Sequence, residues 1–143
     1  MTEFFKNLPI DSSLDPIVMG EYKGYKLAAP ISFWDASDEL RFYVTGGCGP
    51  GVLGRIGILD PIWGLSMKAA CEIHDWTFLV WNDKAGFKLG NKIFKNNMLR
   101  INQQHDGWDC IKQKRLKRIK FYYDMVNDFG EPAYYDSHLK YLI

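Results

Sequence analysis

Residues 46–61 constrain this chain more than any other stretch. Gly46, Gly47, Gly49, Gly51, Gly54 and Gly57 fall there together with Pro50 and Pro61, a density of breakers that neither a helix nor a strand tolerates. The segment is therefore a loop, and it divides the chain into unlike parts. Before it, Ile17-Val18, Tyr22, Tyr25, Leu27, Ile31-Ser32-Phe33 and the run from Leu40 to Val44 are largely β-branched or aromatic, with Gly20, Gly24 and Pro30 as punctuation. This favours strands over 16–45 and a small hairpin or ribbon, preceded by an irregular arm over 1–15. After it, three segments carry helical spacing.

The first helix is expected from about Leu65 to Trp81, a run without Gly or Pro that has Ser66 near its start as a cap. Asn82-Asp83 ends it. A second runs from about Lys84 to Gln103, where Phe87, Asn91, Phe94, Met98 and Ile101 recur at helical spacing. Gly86 and Gly90 either weaken its first turns by about 1 kcal/mol each relative to Ala or allow a neighbour to approach closely. A third, from about Trp108 to Phe129, places Trp108, Ile111, Arg115, Ile119, Tyr122 and Val126 on one broad face, and Gly130 closes it. The expected fold is mainly α, a helical core with a small N-terminal β hairpin or ribbon. At 143 residues and 47% hydrophobic, the chain has apolar side chain for one core. Residues 1–143 thus read as a single domain: arm and ribbon over 1–45, loop and flap over 46–64, three-helix core over 65–129, and a tail over 130–143.

Eighteen Lys and Arg against 17 Asp and Glu leave a net charge of +1, which neither demands nor excludes an anionic partner. The distribution is more telling, because Lys112, Lys114, Arg115, Lys117, Arg118 and Lys120 crowd residues 112–120. Such a run is ordinarily the solvated side of a helix; its functional reading is attraction to a phospholipid or other anionic membrane surface, and nucleic acid is not expected. No stretch approaches the roughly 18 apolar residues of a membrane span, and MTEFFKNLPIDSS at the N-terminus lacks the basic flank and apolar core of a secretory signal. The expectation is a cytoplasmic or virion-borne chain, or one exported by a non-standard route. Three cysteines are too few for a disulfide scaffold, and the odd number leaves at least one thiol unpaired.

Two polar interruptions in apolar helices carry the candidate chemistry. On the first helix Cys71, His74 and Phe78 fall at i, i+3 and i+7, with Asp75 at the edge of the same stripe. A buried ionised carboxylate must be hydrogen-bonded, paired or bound to a cation. On the second helix Asn91 interrupts Phe87, Phe94 and Met98. With only Asn82-Asp83 between them the helices can pack antiparallel, so that Asn91 meets His74.

Cys48-Gly49-Pro50-Gly51 and Cys71-x-x-His74-Asp75 together resemble the calcium loop and the catalytic helix of the phospholipase A2 superfamily. Asn91-Lys92-Ile93-Phe94 resembles the place where that family carries an aspartate behind its histidine, and the Gly-Pro-Gly loop with a His-Asp helix is similar to its capsid-borne viral members. The resemblance covers about residues 46–100. It implies a Ca²⁺ cofactor held by the backbone carbonyls of Gly47, Gly49 and Gly51 and by the Asp75 carboxylate, hard oxygen donors suited to that ion. It implies His74 as the general base for water attacking an ester carbonyl, Asn91 as the partner of His74, and the Gly49 N–H beside the ion as oxyanion donor. It also implies a disulfide between Cys48 and Cys71, with Cys110 free.

Three departures bear on activity: Asn91 stands where the family has an acid, Phe78 where it has a tyrosine, and the stretch from Gly51 to Cys71 is long enough to hold an inserted flap at 54–64. The implied function is a calcium-dependent lipid esterase cleaving a fatty acyl ester of phospholipids. The alternatives are a catalytically weak or inactive scaffold, serving as a structural or interaction component of a viral particle or toxin system, and a divalent-dependent hydrolase of another ester or amide.

Overall fold

The computed structural model describes residues 15–44 and 61–139, with side chains described for 15–42 and 61–135. The fold is mainly helical with a two-stranded antiparallel hairpin near the N-terminus. Strands β1 (Ile17–Tyr22) and β2 (Tyr25–Pro30) pair from Ile17 opposite Pro30 to Tyr22 opposite Tyr25. Lys23 and Gly24 join them with φ of 51° and 88°, the doubly left-handed turn whose twist matches that of the strands.

Helices, not further strands, follow the hairpin: α1 (Ile31–Asp35) and α2 (Asp38–Val44). The apolar runs Ile31-Ser32-Phe33 and Leu40 to Val44, expected as strands, are overruled by capping. Ser37 Oγ accepts from the Leu40 N–H at 3.1 Å, and Asp38 and Glu39 occupy the first turn of α2, where acids suit the helix dipole. Arg41 then donates from Nε and Nη2 to the carbonyls of Phe33 and Trp34 at 2.7 and 2.8 Å, satisfying oxygens that the short α1 leaves open.

The core is built on α3 (Lys68–Val80), α4 (Lys84–Gln104) and α5 (Asp109–Phe129), within a few residues of the expected bounds. Asp83 Oδ1 caps α4 by accepting from the Gly86 N–H at 2.7 Å, whereas the N-cap of α3 is Met67 and Ser66, one residue before it, accepts from the Lys68 N–H at 3.2 Å. From Ala69 to Val80 every residue of α3 is buried; it is a central helix covered on all sides, not one with a single apolar stripe. Gly90 supplies the close approach of α4: a Cβ there would lie 2.6 Å from Thr77 Oγ1. Contacts of Asn102 with Lys112 and of Asn91 with Asn127 run α5 antiparallel to α4.

Two expectations for the C-terminal region need correction. Trp108 is 80% exposed and lies off the buried face of α5, which comprises Arg115, Ile119, Tyr122 and Val126. Residues 130–143 contain a helix, α6 (Glu131–Leu139). Gly130 ends α5 in a right-handed conformation that lets the chain re-enter a helix directly. Buried Tyr134 fixes α6, its hydroxyl donating to the Asp83 carbonyl at 2.8 Å and its ring lying 5.0 Å from Phe78 and 5.4 Å from Phe87.

The hairpin is held to the core through amides. On α4, Asn97 accepts from the Ala28 N–H at 2.9 Å and donates to its carbonyl at 2.8 Å, and Gln104 accepts from the Lys26 N–H and donates to its carbonyl at 2.9 and 3.0 Å. Two side-chain amides thus take the place of a third strand on the β2 edge. Among the described residues no helix is long and apolar enough to cross a membrane.

Candidate active site

His74 lies in the middle of α3 with no exposed surface, and Asn91 faces it from α4, equally buried. The two interruptions meet as expected: His74 Nε2 is 2.8 Å from Asn91 Oδ1. The Asn91 amide also donates from Nδ2 to Asn127 Oδ1 on α5 at 3.4 Å. That contact turns Oδ1 toward the ring, so the imidazole carries its proton on Nε2 and keeps a lone pair on Nδ1. Nδ1 is buried and has no hydrogen-bond partner among the described residues.

The walls of the site are aromatic. Phe78, one turn after His74, brings its ring to 4.2 Å from the imidazole, and Phe94 of α4 lies at 4.6 Å. Thr77 Oγ1 donates to the His74 carbonyl at 2.7 Å. Burial in this apolar surrounding pushes the His74 pKa down to about 4, against a smaller upward effect of the Asn91 hydrogen bond. The ring is therefore neutral at pH 7 and able to accept a proton at Nδ1.

Because the folded pKa lies below the ordinary histidine value near 6.5, the unfolded chain binds the proton first as pH falls. Stability contributed by the neutral ring is present above about pH 6.5 and lost toward about pH 4, by roughly 3 kcal/mol at most. Urea midpoints measured across that window should fall more steeply for the parent than for His74→Gln. Parallel curves would mean that His74 is solvated.

Asp75, next to His74, is also buried, with 7% exposure. Gly47, Gly49, Gly51 and Cys48 lie outside the described residues. Cys71 is disulfide-bonded and Cys110 is a free, exposed thiol. Trp76 belongs to the core, donating from Nε1 to Ser32 Oγ at 3.0 Å.

Two participants were not singled out from sequence. Asn127 appears there only as a polar residue near the end of a helix. Glu72, 6% exposed, adds a second buried carboxylate to α3, one turn from Asp75; it accepts from the Tyr22 hydroxyl and pairs with Lys23 Nζ at 2.7 Å. Burial and that carboxylate together push the Tyr22 pKa upward. The sequence signal was Glu72 inside the same apolar run as His74, and its partners come from the hairpin 50 residues away. Comparison with family models, with curated proteins and with solved structures finds no match to this chain.

Proposed function

We propose that this chain is a calcium-dependent, phospholipase A2-like lipid esterase that hydrolyses a fatty acyl ester of phospholipids, with His74 as general base. The observation that carries the reading is the orientation of the imidazole, with Nε2 on Asn91 Oδ1 and Nδ1 left as a buried acceptor without a partner among the described residues, while Asp75, the next residue of the helix, is also buried. A base so placed takes a proton from water as the water attacks an ester carbonyl, and its lowered pKa keeps it unprotonated over the physiological range. Asn91 holds the tautomer and ring plane. It brings no charge to the imidazolium that forms, so proton abstraction is supported less than it would be by a carboxylate.

The fit to a divalent ion rests on Asp75, a buried carboxylate on the helix of the base. Among the described residues no three His, Cys, Asp or Glu side chains cluster. An ion bound at Asp75 would therefore draw oxygens from backbone, the role the resemblance gives to Gly47, Gly49 and Gly51. When bound, the ion supplies electrostatic stabilisation to charge developing on the ester oxygen, and the Gly49 N–H is the protein donor proposed beside it.

The test is calcium titration of fatty-acid release from mixed phospholipid vesicles, with Asp75→Asn alongside. Release should depend on calcium, and the variant should bind the ion at least about tenfold more weakly by calorimetry, because a charged ligand is replaced by a neutral one. Equal affinity in both proteins would remove Asp75 from the ion site. Calcium binding without release by the parent would favour the second reading, a scaffold retaining loop and helix. The neutral Asn91 and the aromatic wall of Phe78 support that alternative.

A further inference from the structure

We propose that the groove between the turn at Trp63 and the first half of α5 is a docking surface for anionic phospholipid bilayers, separate from the His74 site. Trp63, Lys114, Lys117, Arg118 and Phe121 line it, an open depression of about 360 Å³. The α5 residues fall at i, i+3, i+4 and i+7, a single stripe by which a helix lies flat on a surface. Trp63 and Phe121 are half exposed, at 48% and 50%. Lys114 Nζ sits 4.8 Å from the centre of the Trp63 ring, and no ion pair among the described residues engages Lys114, Lys117 or Arg118.

The display of Trp63 is built in. Its φ is 48°, a conformation rare for a bulky side chain, and Gly64 follows at 77°. The turn is pinned on both sides by reciprocal Ile62 and Leu65 hydrogen bonds of 2.9 and 3.0 Å. From below, Arg115, only 6% exposed, donates from Nη2 to the Trp63 carbonyl at 2.9 Å, while its Nε and Nη1 have no partner among the described residues. A buried guanidinium with no carboxylate partner among the described residues adds to the positive potential beside the groove.

Charge complementarity selects an anionic partner, and the exposed aromatic pair selects one with an apolar layer beneath its anions. A bilayer interface offers both: phosphates for three cations that no acid pairs among the described residues, and the headgroup boundary for an indole and a phenyl ring. A net charge of +1 for the whole chain gives no general field for polyanions and leaves attraction to this patch. Phe121 ends the stripe six residues before Asn127, roughly 9 Å along the helix axis.

Partition of the full chain onto vesicles tests the proposal, with phosphatidylcholine alone and with phosphatidylserine added. Binding should require the anionic lipid and weaken with salt. Lys117→Gln with Arg118→Gln should lower partition about thirtyfold. Trp63→Asn, a residue suited to positive φ, should lower it about tenfold with the salt dependence kept. Circular dichroism checks the fold of variants changed at surface positions. Equal binding to neutral and anionic vesicles, or variants that bind like the parent, would overturn the proposal. So would tighter binding of a single-stranded oligonucleotide or of polyglutamate, which would assign the groove to nucleic acid or to an acidic protein. The choice of lipid as partner rests on the esterase reading, and the two fail separately. A chain that binds vesicles but releases no fatty acid overturns the esterase alone; one that hydrolyses dispersed short-chain lipid but ignores vesicles overturns the docking surface alone.

Discussion

His74→Gln is expected to abolish calcium-dependent fatty-acid release, lowering turnover by about 10²–10⁴, the usual contribution of a positioned general base. Glutamine is close enough in size to remain on the Asn91 side of α3, and its amide can donate to Asn91 Oδ1 as the imidazole does at 2.8 Å. It cannot take a proton. The variant should therefore keep its fold, its calcium affinity and its partition onto anionic vesicles while losing hydrolysis. Release at the parental rate would sink the assignment of His74 as base, whatever the calcium dependence.

Asn91→Asp is expected to raise the His74 pKa by about 2 units from about 4 and to raise turnover by at least about tenfold. In serine proteases the reverse change behind the histidine lowers kcat by about 10⁴, part of it through the wrong tautomer. Here Nε2 already donates to Asn91, so the tautomer is unchanged and only the charge is added. Asn127 can turn its amide to donate to the new carboxylate, replacing the 3.4 Å contact it now accepts. Phe78 and Phe94, at 4.2 and 4.6 Å, keep the pair dry and strengthen the coupling. NMR titration of the His74 ring reads the shift directly. An unchanged pKa would separate the two residues, and a raised pKa with no hydrolysis in either protein would make the scaffold reading the better one.

The helical core was legible in the sequence, together with the contact at its centre. Long periodic segments between breakers gave α3, α4 and α5 to within a few residues. The meeting of His74 with Asn91 was anticipated from two polar interruptions and a short connection that allows antiparallel packing. Local chemistry was read less well. The runs at 31–33 and 40–44 have β-like composition, but Ser37, Asp38, Glu39 and Arg41 cap two short helices there. Capping is a matter of single side chains at fixed offsets, which averaged propensity hides. The helix after Gly130 was missed for a related reason: its stability comes from Tyr134 packing on Phe78 and Phe87, not from its own periodicity.

By itself the sequence singled out the candidate residues, because a His-Asp pair, an Asn in an apolar stripe and a dense basic run stand out against their surroundings whatever the fold. Tertiary structure alone decided their states. Burial on every side of α3 keeps His74 neutral, the Asn127 contact turns the Asn91 amide, and the Lys23 and Tyr22 contacts compensate Glu72. Trp76 went to the core while Trp63 went to the surface, two residues of one type that no pattern distinguishes. Identity and spacing are local properties of a chain, whereas desolvation and hydrogen-bond direction depend on what other elements bring to the same point in space.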